Sequence, residues 1–164
     1  MKKLTIVRHA KSSWKNPELK DIERPLNERG KRDAPFMGNV LKEKKIFPDA
    51  VYSSPAARAL LTAKIIIKEI NYPEEKIIIK KNIYEASVSN LLKIISSFPE
   101  NYKHIMMFGH NPGFTLLSHY LCNSFNVNMP TCSFVHITFD VNSWVEITAN
   151  SGTLLYFEYP KKYR

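Results

Sequence analysis

Four short apolar runs alternate along this chain with stretches of helical periodicity, and no other feature constrains its fold as strongly. The runs are residues 3–8, 49–53, 76–80 and 104–109, each of strand length and dominated by apolar side chains. Between them lie helix signals. Asn27 can cap a helix running to about Lys45, with Pro35 marking a kink or a late start. Ser54-Pro55 combines an N-cap hydroxyl with proline at the first helical position, and Ala56, Ala59, Leu60, Ala63, Ile66, Ile67 and Ile70 then share one face. Asn71-Tyr72-Pro73 ends that helix. A third helix is predicted over 88–98, and Asn111-Pro112 starts a fourth that buries Phe114, Leu117 and Leu121. Residues 133–140 and 153–159 alternate apolar and polar positions, as half-exposed strands do. This order predicts an α/β fold, a three-layer sandwich around a mostly parallel central sheet with an antiparallel edge strand.

The length of 164 residues suits one domain, and no repeat, low-complexity block or linker divides it, so residues 1–164 are read as a single domain. The apolar run behind Met1-Lys2-Lys3 is too short for a secretion signal, and no stretch approaches a membrane span of about 20 apolar residues. A cytoplasmic protein with no membrane partner is the expectation. Cys122 and Cys132, the two cysteines, fit reduced thiols buried as small hydrophobes. The net charge of +9 is compatible with nucleic acid, anionic membranes or phosphorylated substrates. The lysines are scattered rather than gathered into a block with interleaved aromatics, so a solvated surface is expected and nucleic acid is not.

In a parallel sheet, ligands bind beyond the C-terminal ends of the strands. Three polar motifs fall there: Arg8-His9, Ser53-Ser54-Pro55 with Arg58 just after it, and Gly109-His110-Asn111. Converging, they would bring two arginines and two histidines into one cleft, and Arg24 can join from the polar segment 11–24, read as loop. Guanidinium is permanently charged and forks onto two oxygens, and neutral imidazole is a nucleophile at cell pH. Phosphoryl transfer needs chiefly alignment and neutralised oxygen charge, so such a cleft suits it without a metal or cofactor. Asn111 caps a helix whose positive end adds to that field.

The ordered segments RHAKSSW (8–14), ERPLNERG (23–30), SSPAARALLTA (53–63), IYEA (83–86) and GHNPG (109–113) resemble the histidine phosphatase superfamily, in its short SixA branch of phosphohistidine phosphatases. The resemblance covers nearly the whole chain and implies a phosphoglycerate mutase-like fold. It implies that His9 becomes transiently phosphorylated, and that Arg8, Arg58 and His110 hold the phosphoryl oxygens. Arg24 would face the same pocket, Lys11 and Ser12 would line the loop after the nucleophile, and Glu85 matches the acid that protonates the leaving group in larger relatives. Against that role, an arginine-rich cleft favours ionised Glu85, which would then only orient a neighbour. Ala10 departs from the commoner glycine, and the chain lacks room for the cap insertions of the mutases. A shallow site suits a phosphorylated protein, with a phosphatase of small metabolites as the alternative and a non-catalytic phosphate- or nucleic-acid-binding module as a third reading. Trp14 and Tyr84 are candidates for an aromatic wall or for packing, and His104, His119 and His136 for surface or core roles. No assembly signal is legible, so the oligomeric state stays open.

Overall fold

The computed structural model describes residues 1–164. Six strands form one sheet: β1 (Lys2–Arg8), β2 (Ala50–Ser53), β3 (Ile78–Ile79), β4 (His104–Gly109), β5 (Phe134–Phe139) and β6 (Gly152–Glu158). Their spatial order is β3-β2-β4-β1-β5-β6. The pairs β3–β2, β2–β4 and β4–β1 are parallel, and β5 runs antiparallel to both β1 and β6. The helices are α1 (Glu28–Glu43), α2 (Ala57–Glu69), α3 (Val88–Ser96) and α4 (Gly113–Leu121).

The period-two alternation of the central strands divides the core into two layers. Val7, Met106 and Phe108 face Met37, Leu41, Ala63, Ile66 and Ile67 of α1 and α2. Leu4, Ile6, Ile105 and Met107 face Leu91, Ile94, Leu117 and Leu121 of α3 and α4. Both faces of β1 and β4 are thereby covered, which is why these strands read as continuous apolar runs. Pro35 lies inside α1, where a buried stripe including Ala34, Met37 and Leu41 holds the helix against the sheet.

Several expected boundaries move. Ser54-Pro55 does not open α2: the helix starts at Ala57, and the Ser54 hydroxyl caps no helical N–H. The strand expected over 76–80 shrinks to Ile78–Ile79, between 3-10 turns at Glu74–Lys76 and Lys81–Ile83. The segment 11–24 is not simply loop, because Asp21–Glu23 forms a 3-10 turn and Ser12 bridges to Leu26. β5 is buried along almost all its length rather than half-exposed, since it lies one strand in from the edge. Cys122 and Cys132 are buried and unpaired, and no helix is long and apolar enough to cross a membrane.

His136 of β5 is absorbed into a buried hydrogen-bonded network. The Thr5 hydroxyl lies 2.7 Å from His104 Nε2 and 2.8 Å from His136 Nδ1, and His104 Nδ1 lies 3.1 Å from the Phe47 carbonyl. A carbonyl only accepts, so His104 carries its proton on Nδ1, Thr5 donates to Nε2, and His136 Nδ1–H donates to Thr5. Burial pushes His104 down to about 4 and His136 to about 3 from an ordinary 6.5. Between pH 6.5 and about 4 the unfolded chain takes up protons that the folded chain refuses, so stability is full above 6.5 and falls with pH through that window. Each such histidine costs up to about 1.4 kcal/mol per pH unit. Thermal melts are therefore expected to show Tm dropping steeply from pH 7 to pH 5; a level Tm would contradict neutral burial of this pair.

Candidate active site

The register of the parallel strands assembles the cleft. Arg8 of β1 pairs with Gly109 of β4, so the next residues, His9 and His110, leave the sheet side by side. Their ring centroids are 5.3 Å apart. Ser53 of β2 pairs with Phe108, which delivers Ser54 to the same edge, and Ser54 Oγ lies 2.8 Å from His110 Nε2. Arg58 follows in the first turn of α2. The Thr62 hydroxyl accepts the Ala10 N–H at 3.0 Å and donates to the Arg58 carbonyl at 2.7 Å, tying the His9 loop to the helix that carries Arg58. Gly30 lets α1 pass close to that loop, since a Cβ there would sit 2.2 Å from the Lys11 carbonyl oxygen.

The two imidazoles carry definable protons. His9 Nδ1 lies 2.7 Å from the Ala10 carbonyl. The proton therefore sits on Nδ1, and Nε2 keeps its lone pair. Burial, then the charges of Arg58, Arg8 and Arg24, push His9 down to about 4 against the opposing hydrogen bond to Ala10, so the ring is neutral at cell pH. The Ser54 hydroxyl already accepts the Ala56 N–H at 3.2 Å and satisfies its own proton by donating to His110 Nε2. His110 then bears its proton on Nδ1, a buried donor with no partner in the protein. Burial, followed by the charges of His9 and Arg58, pushes His110 down to about 3.

Three guanidinium groups complete the cluster. Arg8 Nη1 donates to the Met129 carbonyl at 2.8 Å, and Arg58 Nη1 to the Asp21 carbonyl at 2.7 Å. Arg24 Nη1 donates to Ser12 Oγ at 2.9 Å, and the Trp14 ring stacks over its guanidinium at 3.6 Å. Arg8 Nε and Arg58 Nε are buried and unpartnered, like His110 Nδ1. Buried donors of this kind are costly to leave unsatisfied, and they fit an anion with several oxygens. A cavity of about 250 Å³ holds Arg8, His9, Arg24, Arg58 and His110 together. No set of three or more His, Cys, Asp or Glu side chains is grouped to ligate a metal ion.

Residues 4–114 match the histidine phosphatase superfamily, branch 1. The chain belongs to this superfamily. Along its length it is 28% identical to an uncharacterized chloroplastic protein of Arabidopsis thaliana, over 92% of this chain and 72% of that one. Phosphoglycerate mutase 1 of Saccharomyces cerevisiae is 38% identical over 42% of this chain, a segment spanning 29% of the mutase. Among solved structures, a protein histidine phosphatase SixA complexed with tungstate shares the fold at a TM-score of 0.84 and 20% identity, covering 99% of each chain. The SixA protein of Agrobacterium tumefaciens does so at 0.83 and 23%, covering 97% of this chain and 98% of that one.

Within this histidine phosphatase domain, His9, Arg8, Arg58, His110 and Arg24 are brought together as expected from the sequence, all but Arg8 more than nine-tenths buried. Lys11 lines the same cavity. Ser12 lines it too, but its hydroxyl accepts from Arg24 and so braces that arginine. Asn111 lines the cavity as well, with its side-chain hydrogen bonds made inside the protein: Oδ1 accepts from Thr115 N and Oγ1, and Nδ2 donates to Met129 O and Asn128 Oδ1. It closes the first turn of α4, whose first helical residue is Gly113. Glu85 stands exposed on the wall of an adjoining cleft, with its backbone at φ 55°. That left-handed region is rarely adopted outside glycine. Trp14 is 73% exposed at the rim, stacked on Arg24 rather than packed in a core. The sequence reading missed Asp21. Its carboxylate accepts from Arg24 Nε at 3.1 Å, Arg58 Nη2 at 2.9 Å and the Tyr84 hydroxyl at 2.5 Å. The Tyr84 bond, then Arg58 and Arg24, hold Asp21 down at about 2 against its desolvation. The one sequence signal was its i,i+3 spacing from Arg24.

Proposed function

We propose that this chain is a metal-independent phosphatase whose His9 accepts the phosphoryl group, and that its substrate is a phosphohistidine on a protein. One observation carries the reading: the unprotonated Nε2 of His9 shares a cavity with three arginines and with buried donors that lack partners. His9 Nε2 attacks phosphorus as the bond from phosphorus to the substrate nitrogen breaks and its electron pair leaves with that nitrogen, while Arg8, Arg58, Arg24 and His110 Nδ1 bear the phosphoryl oxygens. The Nδ1–H bond to the Ala10 carbonyl steadies the positive ring that forms. Water then attacks phosphorus, the P–N bond breaks, and its electron pair returns to Nε2. Dihydrogen phosphate leaves and His9 is regenerated.

A protein-borne substrate is supported by the layout around the cavity. Further clefts of about 710, 480 and 360 Å³ adjoin it and share its lining residues. A phosphorylated side chain presented from a partner's surface can thus be contacted on several sides. The full-length likeness to SixA structures supports the same substrate class. Incubation with a protein phosphorylated on histidine is expected to release phosphate at a rate unchanged by a chelator. Rapid hydrolysis of small metabolite phosphates with no turnover of the phosphoprotein would favour the metabolite phosphatase instead, and loss of activity in chelator would refute the metal-free chemistry.

A further inference from the structure

The clefts around the phosphoryl cavity differ in charge. One is lined with Lys15 and Lys31, and another with Lys161 and Arg164. The third contains Asp21, Tyr84 and Glu85, no lysine, and Arg58 as its single cation. It adjoins the phosphoryl cavity across Arg58 and His110, which line both. These two residues are each 7% exposed, and their Arg58 Nε and His110 Nδ1 atoms have no hydrogen-bond partner within the protein. Asp21 is half-exposed, and its Oδ1 accepts a single hydrogen bond, from Arg24, which leaves one lone pair free. Two carboxylates beside an anion cradle are unsuited to a substrate that is anionic throughout. They suit one whose phosphorylated group is positively charged until phosphorus leaves it.

We propose that this acidic cleft is the leaving-group pocket for a phosphorylated imidazole, and that Asp21, assisted by Glu85, determines specificity by accepting the N–H of the protonated ring. The inference rests on the reading of His9 as phosphoryl acceptor. A phosphoimidazole protonated on its distal nitrogen carries a positive ring, and the P–N bond breaks only when the departing nitrogen can hold the electron pair as neutral imidazole. His9 Nε2 forms the new P–N bond as the old one breaks. The electron pair stays on the substrate nitrogen, and the distal proton stays on the ring, held against Asp21 Oδ1. No proton is transferred in the step, so an ionised Asp21 serves it well. An alkyl phosphate ester, by contrast, expels an alkoxide that needs a proton, and an ionised carboxylate has none to give. The Tyr84 ring, edge-on to His110 at 5.5 Å, walls the pocket beside these carboxylates.

The test compares kcat/KM for phosphoimidazole and for p-nitrophenyl phosphate in the wild type, Asp21→Asn and Glu85→Gln. Asp21 also braces Arg24 and Arg58, so both rates are expected to fall in Asp21→Asn. The ratio of the two rates is what reads specificity. It is expected to shift against phosphoimidazole by at least about tenfold, the scale of one charge-assisted hydrogen bond. Glu85→Gln is expected to move the ratio in the same direction by less. Equal losses on both substrates would reduce Asp21 to a brace and overturn the proposal. If Asp21→Asn does not fold, an unchanged ratio in Glu85→Gln overturns it. A wild type that cleaves the ester and leaves phosphoimidazole untouched would instead fail the phosphohistidine reading itself.

Discussion

Replacing His9 with alanine is expected to lower kcat/KM by about four powers of ten or more, because the covalent route disappears with its nucleophile. The geometry makes this loss specific to chemistry. His9 Nδ1 bonds only to the neighbouring carbonyl, and the three arginines are held by Met129, Asp21 and Ser12 rather than by His9. The phosphoryl cradle should therefore survive the substitution and keep binding phosphate analogues, so the defect falls on kcat. The same residue predicts the acid limb of the wild type. With His9 held down to about 4, the nucleophile stays unprotonated across the physiological range, and kcat/KM should fall only as pH approaches that value. Full steady-state activity in His9→Ala would mean that another group takes the phosphoryl transfer.

Arg58→Ala is expected to cost about a thousandfold in kcat/KM, the size seen when one preorganised donor to transition-state oxygens is lost. Arg58 is buried, lies in the first turn of α2, and is clamped by the carbonyl and carboxylate of Asp21. Its orientation is set before substrate arrives, so its contribution should rise in the transition state and appear more in kcat than in KM. Arg58→Lys retains the charge and loses the planar fork, and should fall between alanine and wild type. Steady-state rates of the two variants check both statements. A loss of less than tenfold in the alanine variant would remove Arg58 from the machinery.

The strands and helices that carry the site were legible because their apolar spacing is dictated by burial on two faces of one sheet. Residues 104–109 are bounded alike in sequence and structure for that reason. Which strands lie side by side was not legible. The adjacency of His9 and His110 follows from the β1–β4 pairing, and nothing local to either segment encodes it. Ser54 illustrates a second limit: its local chemistry is that of a helix cap, yet tertiary context assigns its hydroxyl to His110 and delays the helix to Ala57. β5 illustrates a third. Its alternation of His136 and Thr138 with apolar neighbours suggests one wet face, but the hydrogen bond to Thr5 makes His136 compatible with burial. Asp21 escaped notice because a carboxylate in a polar segment carries no periodic signal. Its meaning appears only once Arg24, Arg58 and Tyr84 surround it.

The central claim is that His9 Nε2 carries the phosphoryl group during turnover. Rapid quenching under alkaline conditions, followed by peptide mapping by mass spectrometry, tests it directly. One phosphate on His9, lost in acid and absent from His9→Ala, is the expected result. A phosphate that accumulates on any other side chain during turnover, or turnover with none on the protein under conditions that trap a phosphohistidine standard, would contradict it.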